Sequence, residues 1–192
     1  MTVPAPIKVE LVPHSANWQE IAQQEALRLV KALEGNVILV HHVGSTAIPG
    51  IHAKPIIDLM PVVRSVRELD EQQAVLRQLG YQYWGEYGIV GRRYCTLEDP
   101  SNGRRKFHLH CFEPGSEEIE PHLAFRDYLR ANSAKAMEYD AEKRRCRELH
   151  PDDSHAYSDA KADWIAAQLP AALACFAAMQ GQQRYMTSEQ EK

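Results

Sequence analysis

The stretch Val40-His41-His42-Val43-Gly44-Ser45-Thr46-Ala47-Ile48-Pro49-Gly50, followed by Lys54-Pro55-Ile56-Ile57-Asp58-Leu59-Met60-Pro61-Val62-Val63, decides the fold of this chain. Each apolar run predicts a buried strand, and the piece between them is rich in Gly, Pro, Ser and Thr. Gly44 and Ser45 would place free backbone N–H groups at the end of the first strand, a geometry suited to binding phosphate oxygens. Asp58 would stand inside the second strand, where a carboxylate is costly to bury unless it binds a metal, pairs with a cation or meets water in a cleft.

The composition is ordinary for a soluble globular domain and argues against several other classes. Of 192 residues, 44% are hydrophobic and 25% are charged, which is enough apolar content to bury a core. A formal net charge of −4 argues against general nucleic-acid binding. The four cysteines include no Cys-x-x-Cys pair, which argues against a zinc knuckle and a disulfide framework. Residues 1–6 lack a signal-peptide pattern and no apolar run approaches the ~20 residues of a membrane span, so we expect a cytoplasmic protein without membrane contact.

The residues around the central pair predict the rest of a mixed sheet. The alternation of apolar and polar residues from Ile7 to Val12 predicts a half-exposed strand. Three shorter runs with β-forming residues follow the second central strand, at 81–84, 92–97 and 106–112. Together these strands would form a mixed, twisted sheet with helices packed on it, which places the chain in the α/β class.

The remaining segments have helical spacing. Asn17 followed by Glu20 resembles a capping box at the start of the first helix, and Pro170 should kink or break the last one. After Ser116 the pattern is helical throughout. We therefore expect three regions: an α/β core over 1–115, a helical segment packing on the core over 116–180, and a disordered tail over 181–192.

The spacing of the central motif resembles the signature of the nucleotidyltransferase superfamily. That signature is a hydrophobic residue and Gly-Ser, then a spacer, then Asp-hydrophobic-Asp/Glu-hydrophobic. Val43-Gly44-Ser45 matches its first half, and Asp58-Leu59 begins its second half. Met60 departs from the pattern, because the superfamily usually carries a second metal-binding carboxylate on the same strand face.

A longer set of motifs resembles the GrpB family, a largely uncharacterised branch assigned to that superfamily. The shared motifs are His42 to Gly50, Lys54 to Asp58, Gly91-Arg92-Arg93, His108-Leu109-His110, His122 to Arg130, and Tyr157 with Lys161. They lie between about Val9 and about Trp164, so the resemblance covers nearly the whole chain. It implies a nucleotidyltransferase-like fold. Relatives of this family can occur fused to dephospho-coenzyme A kinase, which implies coenzyme A or adenine-nucleotide chemistry for the family.

Asp58 is the first candidate for catalysis. Carboxylate-bound metal ions bridge the triphosphate during nucleotidyl transfer, and the superfamily spacing gives Asp58 that role. A lone carboxylate holds Mg²⁺ poorly, so either another residue completes the site or catalysis has been lost. His108 and His110 would project to one face of their strand and complete a two-His-one-carboxylate set, which suits Mn²⁺, Fe²⁺ or Zn²⁺ better than Mg²⁺. The alternative is that one histidine is a core residue and the other is exposed.

A second group of residues is predicted to contact the nucleotide. These residues are Gly44, Ser45, Thr46, Lys54, Arg93, Arg126 and Lys161. The first three combine small side chains with backbone donors, although the same composition is ordinary in a turn. The cations would neutralise phosphate, or alternatively would lie in solvated strand ends and helix faces. Arg92 and Arg93 alternate sides of their strand, so at most one of them faces the cleft.

The resemblance implies a metal-dependent nucleotidyltransferase with a nucleoside triphosphate donor and a small-molecule acceptor. Asp58 would bind the metal, His110 would be a second ligand or a base, and His42 would contact phosphate or donate a proton. The cofactor would be a divalent metal, Mg or Mn, with the nucleoside triphosphate. Two alternatives stay open: a non-catalytic nucleotide- or coenzyme A-binding module, and a metal-dependent hydrolase that uses Asp58, His108 and His110. The partner would be a small-molecule nucleotide, and a homodimer is also open.

Overall fold

The computed structural model describes the backbone of residues 4–190 and the side chains of residues 4–182. Its strands are β1 (Val37–Val43), β2 (Ile57–Val63), β3 (Tyr81–Tyr83), β4 (Arg93–Glu98) and β5 (Arg105–Cys111). Its helices are α1 (Asn17–Ala32), α2 (Val66–Glu71), α3 (Gln73–Gln78), α4 (Ile119–Ala131), α5 (Ser133–Leu149), α6 (Ser154–Ala160) and α7 (Ala162–Gln190). The mixed sheet with flanking helices confirms the predicted α/β class.

The sheet places the second central strand next to β5. The strand order is β1-β2-β5-β4-β3, with β2 and β5 parallel and the other neighbouring pairs antiparallel. The register sets Asp58 opposite His108. Because side chains alternate along a strand, the odd-numbered residues of β2 and β5 face one side of the sheet and the even-numbered residues face the other.

The main core lies between the odd-numbered face and helices α1, α2 and α3. Leu59 of β2 and Leu109 of β5 are fully buried in one cluster with Leu29 of α1 and Leu76 of α3. Burying each leucine contributes about 2 kcal/mol of transfer free energy. The apolar core therefore fixes this face of both strands, and the even-numbered face carries Asp58, His108 and His110 beside a smaller apolar cluster around Met60.

Two strand predictions need correction. The segment Ile7–Val12 is not a strand, and Val12 makes an isolated bridge with Ala53 instead. β1 is a strand at the edge of the sheet, with Ile38 46% and Leu39 40% exposed, so it is not the buried strand that its apolar run predicted. An apolar run predicts an extended segment, whereas the number of its neighbours depends on the sheet order.

Helix starts agree with the sequence in one case and differ in another. Ser65 followed by Glu68 also predicts a capping box, and Ser65 accepts the hydrogen bond that this box requires from the backbone N–H of Glu68 at 3.3 Å. The reciprocal bond does not form, since the N–H of Ser65 donates to Oδ1 of Asn36 at 3.0 Å. Helix α1 starts at the predicted Asn17, but the residue before the helix is Ala16 and no side-chain cap forms. The chain after Ser65 also divides at Gln72 into two short helices, α2 and α3, rather than one.

The last helix continues through its proline. The predicted break at Pro170 does not occur, and α7 is one helix from Ala162 to Gln190. The carbonyl of Ala166 loses its helical donor at Pro170, and Ala166 is exposed, so water can bond to that carbonyl. The helix assignment includes 181–190 of the stretch expected as a tail, and residues 191–192 lie outside the described residues.

Helix α7 contains a window that is unusually apolar. Within the described residues, Ala162–Gln182 is long and apolar enough to cross a membrane by length and composition alone, and little of it is buried. The sequence predicted no segment of that kind, because glutamines and Pro170 interrupt the apolar residues. Frequent alanines raise the average hydropathy without producing a continuous apolar run. Length and composition of a single helix are weak evidence for a membrane span, so we assign no membrane role to this window.

The helical segment packs on the core of its own chain. Ile48 and Ile51, in the connection between β1 and β2, are fully buried in one cluster with Leu129 of α4 and Tyr139 of α5. The connection that carries the Gly-Ser turn is thereby held from the helical side as well as by its flanking strands. The division into regions at residue 115 stays a prediction.

A buried ionic cluster adds to this docking. The carboxylate of Asp140, on α5, accepts a hydrogen bond of 2.6 Å from the backbone N–H of His52 and lies 3.6 Å from Nζ of Lys143. Lys143 also donates to the carbonyl of His52. Burial lowers the pKa of Lys143 to about 7, against the attraction of Asp140. Helix α5 is therefore tied to the residues that precede Lys54.

Candidate functional site

A cavity of about 390 Å³ opens on the even-numbered face of β2 and β5. Residues of the Gly-Ser turn, β4, β5 and α6 line it. Asp58, His108 and His110 are among the residues that line it. The cavity therefore lies where the sheet meets the helical segment.

The parallel pairing of β2 and β5 assembles a cluster of three possible metal ligands. Nδ1 of His108 lies 2.9 Å from Oδ1 of Asp58, directly across the two strands. Nε2 of His110, two residues along the same strand, lies 3.5 Å from the same oxygen. One potential ligand atom from each residue lies within 4.8 Å of the others. The two-His-one-carboxylate set that the sequence suggested is therefore present as a compact cluster.

The outer nitrogens of the two rings are free of protein partners. Within the described residues, Nε2 of His108 and Nδ1 of His110 are buried and make no hydrogen bond. The ionised carboxylate of Asp58 only accepts hydrogen bonds, so without an ion the ring nitrogens that face it carry the protons. Because no protein group occupies the outer nitrogens, the protons can move there and leave lone pairs for an ion. Two imidazoles and one carboxylate form a donor set that fits a divalent transition ion.

Burial and mutual hydrogen bonds set the charges in this cluster. Burial alone would raise the pKa of Asp58, but hydrogen bonds from His108 and His110 outweigh it and hold that pKa well below its usual value. Burial lowers the pKa of both histidines, although Asp58 acts in the opposite direction. The cluster thus combines an ionised carboxylate with neutral imidazoles, which is the protonation state that metal binding requires.

Gly44 lies directly against the carboxylate of Asp58. Its φ of 70° and ψ of −172° lie in a region that is essentially restricted to glycine. A Cβ at this position would lie within 3.0 Å of Oδ2 and 3.1 Å from Cγ of Asp58. The following residues, Ser45 and Thr46, form a 3₁₀ turn and line the cavity. The predicted turn and the predicted carboxylate are therefore in contact.

Two predicted lysines reach the cavity from opposite regions of the chain. Lys54 precedes β2, whereas Lys161 follows α6, and both line the cavity. Burial lowers the pKa of each to about 8. The charges of Lys161 and Arg105 add to this lowering of the Lys54 pKa.

Arg105 is a cavity residue that sequence reasoning missed. Leu97 pairs with Phe107, but Glu98 pairs with Arg105, so Lys106 is an extra residue in β5. This β-bulge reverses the alternation and turns Arg105 to the same side as His108. The run Arg104-Arg105-Lys106 marks a basic end of the strand, but it does not indicate which side chain enters the cavity.

The structure exchanges the roles expected for the adjacent arginines of β4. Arg92 lines the cavity with Tyr94, whose ring centroid lies 5.3 Å from that of His110. Arg93 points away and binds Asp70 of α2 through two hydrogen bonds of 2.7 and 2.8 Å. The sequence correctly allowed one arginine in the cavity, but the assignment of Arg93 was wrong because β4 pairs Tyr94, not Arg93, with His110.

Arg126 and His42 also lie outside this cavity. Arg126 makes two hydrogen bonds to Asp127, of 2.7 and 2.8 Å, and donates to the carbonyl of His42 at 3.0 Å. Nε2 of His42 lies 2.9 Å from Oγ1 of Thr46. Both residues line a separate depression beside α1. They support the Gly-Ser turn from behind rather than from inside the cavity, and the contact with phosphate expected of each stays a prediction.

Comparison with known proteins agrees with the motifs that converge here. The family model described as GrpB protein matches residues 8–170. This chain belongs to the GrpB family. The crystal structure of the conserved protein GrpB from Enterococcus faecalis is similar with a TM-score of 0.80 and 35% sequence identity, covering 87% of this chain and 99% of that one. The fold described above is therefore a GrpB fold.

Two curated relatives show how far the similarity extends. The UPF0157 protein YqkA of Bacillus subtilis (strain 168) is 39% identical over 158 residues, which are 82% of this chain and 45% of YqkA. The glutamate-rich protein GrpB of Alkalihalophilus pseudofirmus is 32% identical over 160 residues, which are 82% of this chain and 92% of that protein. The chain thus spans less than half of YqkA and most of the second relative.

Proposed function

We propose that this GrpB-family protein is a metal-dependent nucleotidyltransferase that transfers a nucleotidyl group from a nucleoside triphosphate to a small-molecule acceptor. The observation that carries the proposal is the contact between Gly44 and Asp58. It sets backbone donors suited to phosphate oxygens beside a carboxylate that faces two imidazoles. A phosphate bound at the turn would lie next to the candidate metal ligands.

Asp58, His108 and His110 would hold the ion. When bound, a divalent ion there would act as a Lewis acid that stabilises the charge developing on the phosphates. Two imidazoles favour Mn²⁺, Fe²⁺ or Zn²⁺ over Mg²⁺, so Mn²⁺ is the better of the two ions expected. We assign His110 as a ligand rather than as the base, because its Nδ1, the nitrogen that faces away from Asp58, is buried.

The remaining cavity residues would bind and orient the triphosphate. Ser45 and Thr46 would donate hydrogen bonds to its oxygens, while Lys54 and Lys161 would neutralise its charge. The ligand would also exclude water from a site that the helical segment already covers on one side. Its transferred group would thus be held in one orientation toward the acceptor.

Two observations favour the alternative functions. Met60 is fully buried in an apolar cluster with Val43 and Phe112, so β2 offers no second carboxylate, which favours a nucleotide- or coenzyme A-binding module without transfer. The compact Asp58, His108 and His110 cluster by itself equally suits a metal-dependent hydrolase. Pyrophosphate release from each nucleoside triphosphate, measured with and without an acceptor, separates the three functions. A transferase releases pyrophosphate only with an acceptor, a hydrolase releases products without one, and a binding module releases none.

The first experiment is a thermal-shift panel of nucleoside triphosphates and coenzyme A, each with and without Mn²⁺ or Mg²⁺. Ligand at about a hundred times its Kd should stabilise the protein by roughly 2.7 kcal/mol, which raises Tm by roughly 5–10 °C. Asp58→Asn should abolish the metal-dependent part, whereas Asp152→Asn, at an exposed position, should leave it unchanged. A rise in Tm with nucleotide that depends on neither the ion nor Asp58 would contradict metal-dependent transfer.

A further inference from the structure

Besides Arg92, which packs on the rings of Tyr87 and Tyr94, three cationic side chains from separate parts of the chain line the cavity. They are Lys54 before β2, Arg105 at the start of β5 and Lys161 after α6. The carboxylates that line the cavity are Asp58, which already accepts from two histidines, and Asp159, which is exposed. The chain as a whole carries a formal charge of −4. A local positive site in an acidic protein indicates an anionic ligand.

These cations have unused binding capacity. Within the side chains that the structure describes, the ammonium groups of Lys54 and Lys161 make no ion pair or hydrogen bond. The side chain of Arg105 is 7% exposed and donates to Glu98 at 3.2 Å, yet its buried Nε has no partner. A buried donor without a partner is costly, so Nε of Arg105 would gain free energy from an anion in the cavity. The two ammonium groups would donate charge-assisted hydrogen bonds to the same anion.

One aromatic ring holds the two lysines together. Nζ of Lys54 lies 5.4 Å and Nζ of Lys161 lies 4.2 Å from the ring centroid of Tyr157. Tyr157 is 1% exposed, so the ring is fixed by the packing around it. Cation–π attraction orients each ammonium group, but it cannot cancel the repulsion between them. A ligand with several negative charges would cancel that repulsion, whereas a single carboxylate would supply one charge for three cations.

We propose that Lys54, Arg105 and Lys161 form a binding site for the polyphosphate portion of the ligand, with Tyr157 as the residue that positions both lysines. The proposal rests on the proposed function for the identity of the full ligand, but the site itself requires only a polyphosphate. The core supplies Lys54 and Arg105, and the helical segment supplies Lys161 and Tyr157. Polyphosphate binding would therefore hold the two regions together.

Titration calorimetry with inorganic tripolyphosphate in metal-free buffer at pH 7 tests the site. Lys54→Met and Lys161→Met should each weaken binding by about tenfold, because each removes one charge-assisted contact. Lys106→Met makes the same change at an exposed position next to Arg105 and should alter binding by less than about twofold. Equal affinities for wild type and both cavity variants would overturn the proposal. The two variants are judged separately, so one that fails to fold leaves the other to decide.

The role of Tyr157 has its own pair of variants. Tyr157→Phe keeps the ring face and should bind tripolyphosphate as wild type does, whereas Tyr157→Leu should weaken binding while circular dichroism shows an intact fold. Equal binding by the two variants would remove the positioning role. Tripolyphosphate binding without nucleotidyl transfer would retain the site and reject the enzyme function. Transfer activity that is unaffected by the lysine substitutions would retain the enzyme function and reject the polyphosphate site.

Discussion

The contact between Gly44 and Asp58 allows a sharp test of the site by a single methyl group. Gly44→Ala places a Cβ within 3.0 Å of Oδ2 and 3.1 Å from Cγ of Asp58, where ordinary contacts begin at 3.4 Å. The backbone conformation costs a non-glycine residue about 1–3 kcal/mol, so we expect Tm to fall by roughly 2–12 °C. The carboxylate must also move by several tenths of an ångström, away from the 2.9 Å contact with His108. Metal sites tolerate only about 0.2 Å of such error.

Gly50→Ala is the matched control. Gly50 also has a positive φ, 80°, but a Cβ there would meet nothing within 4 Å. This variant should lose about 1 kcal/mol of stability and bind metal normally. Urea unfolding gives the free energy of unfolding, and calorimetric titration with Mn²⁺ gives the affinity, which should fall at least tenfold in Gly44→Ala alone. Wild-type Mn²⁺ affinity in Gly44→Ala would refute the reasoning.

The buried ionic cluster and the cavity lysines give two further tests. Asp140→Asn leaves the buried ammonium of Lys143 without a carboxylate, so the free energy of unfolding, measured by urea denaturation, should fall by about 3 kcal/mol. The control Glu138→Gln, at a half-exposed position on the same helix, should lower it by less than about 0.5 kcal/mol. Equal losses would show that burial of the pair is immaterial. The lowered pKa values of Lys54 and Lys161, about 8, mean that both are protonated below pH 7 and neutral above pH 9. Tripolyphosphate affinity measured by calorimetry should therefore fall across that interval, and a flat profile would contradict the assignment of these lysines.

Local patterns predicted much of the framework. The apolar run 37–43 became β1 with the expected bounds, because β-branched residues between turn signals favour an extended chain. The sequence also predicts a helix over 133–149 with Asn132 or Ser133 as its cap, and α5 runs from Ser133 to Leu149 with Asn132 as the cap. Each of these features depends on residues that are near one another in sequence.

The metal cluster was predictable for a different reason. Side chains two apart on a strand share a face whatever the sheet order, so His108 and His110 had to project together. Their meeting with Asp58 required one further fact, the parallel pairing of β2 and β5, which the sequence did not contain. The motif resemblance identified Asp58 as a candidate metal ligand, and the strand register placed the two histidines beside it.

Choices among cations depended on tertiary structure. A single extra residue in β5 turned Arg105 into the cavity, and the pairing of β4 placed Arg92 there instead of Arg93. Arg126 lies outside the cavity, where it makes two hydrogen bonds to its sequence neighbour Asp127. In each case, charge and spacing left two directions open to the side chain, and a contact with another element selected one.

By itself, the sequence determined the Gly-Ser turn, the strand that carries Asp58, the α/β class and the family. The tertiary structure alone added Arg92 and Arg105 to the cavity and brought the predicted Lys54 and Lys161, which are far apart in the chain, to the same ring of Tyr157. Short-range patterns fix local conformation through backbone propensity and side-chain alternation. The composition of a cavity instead follows from strand order, register and a bulge, which are set by the packing of the whole chain.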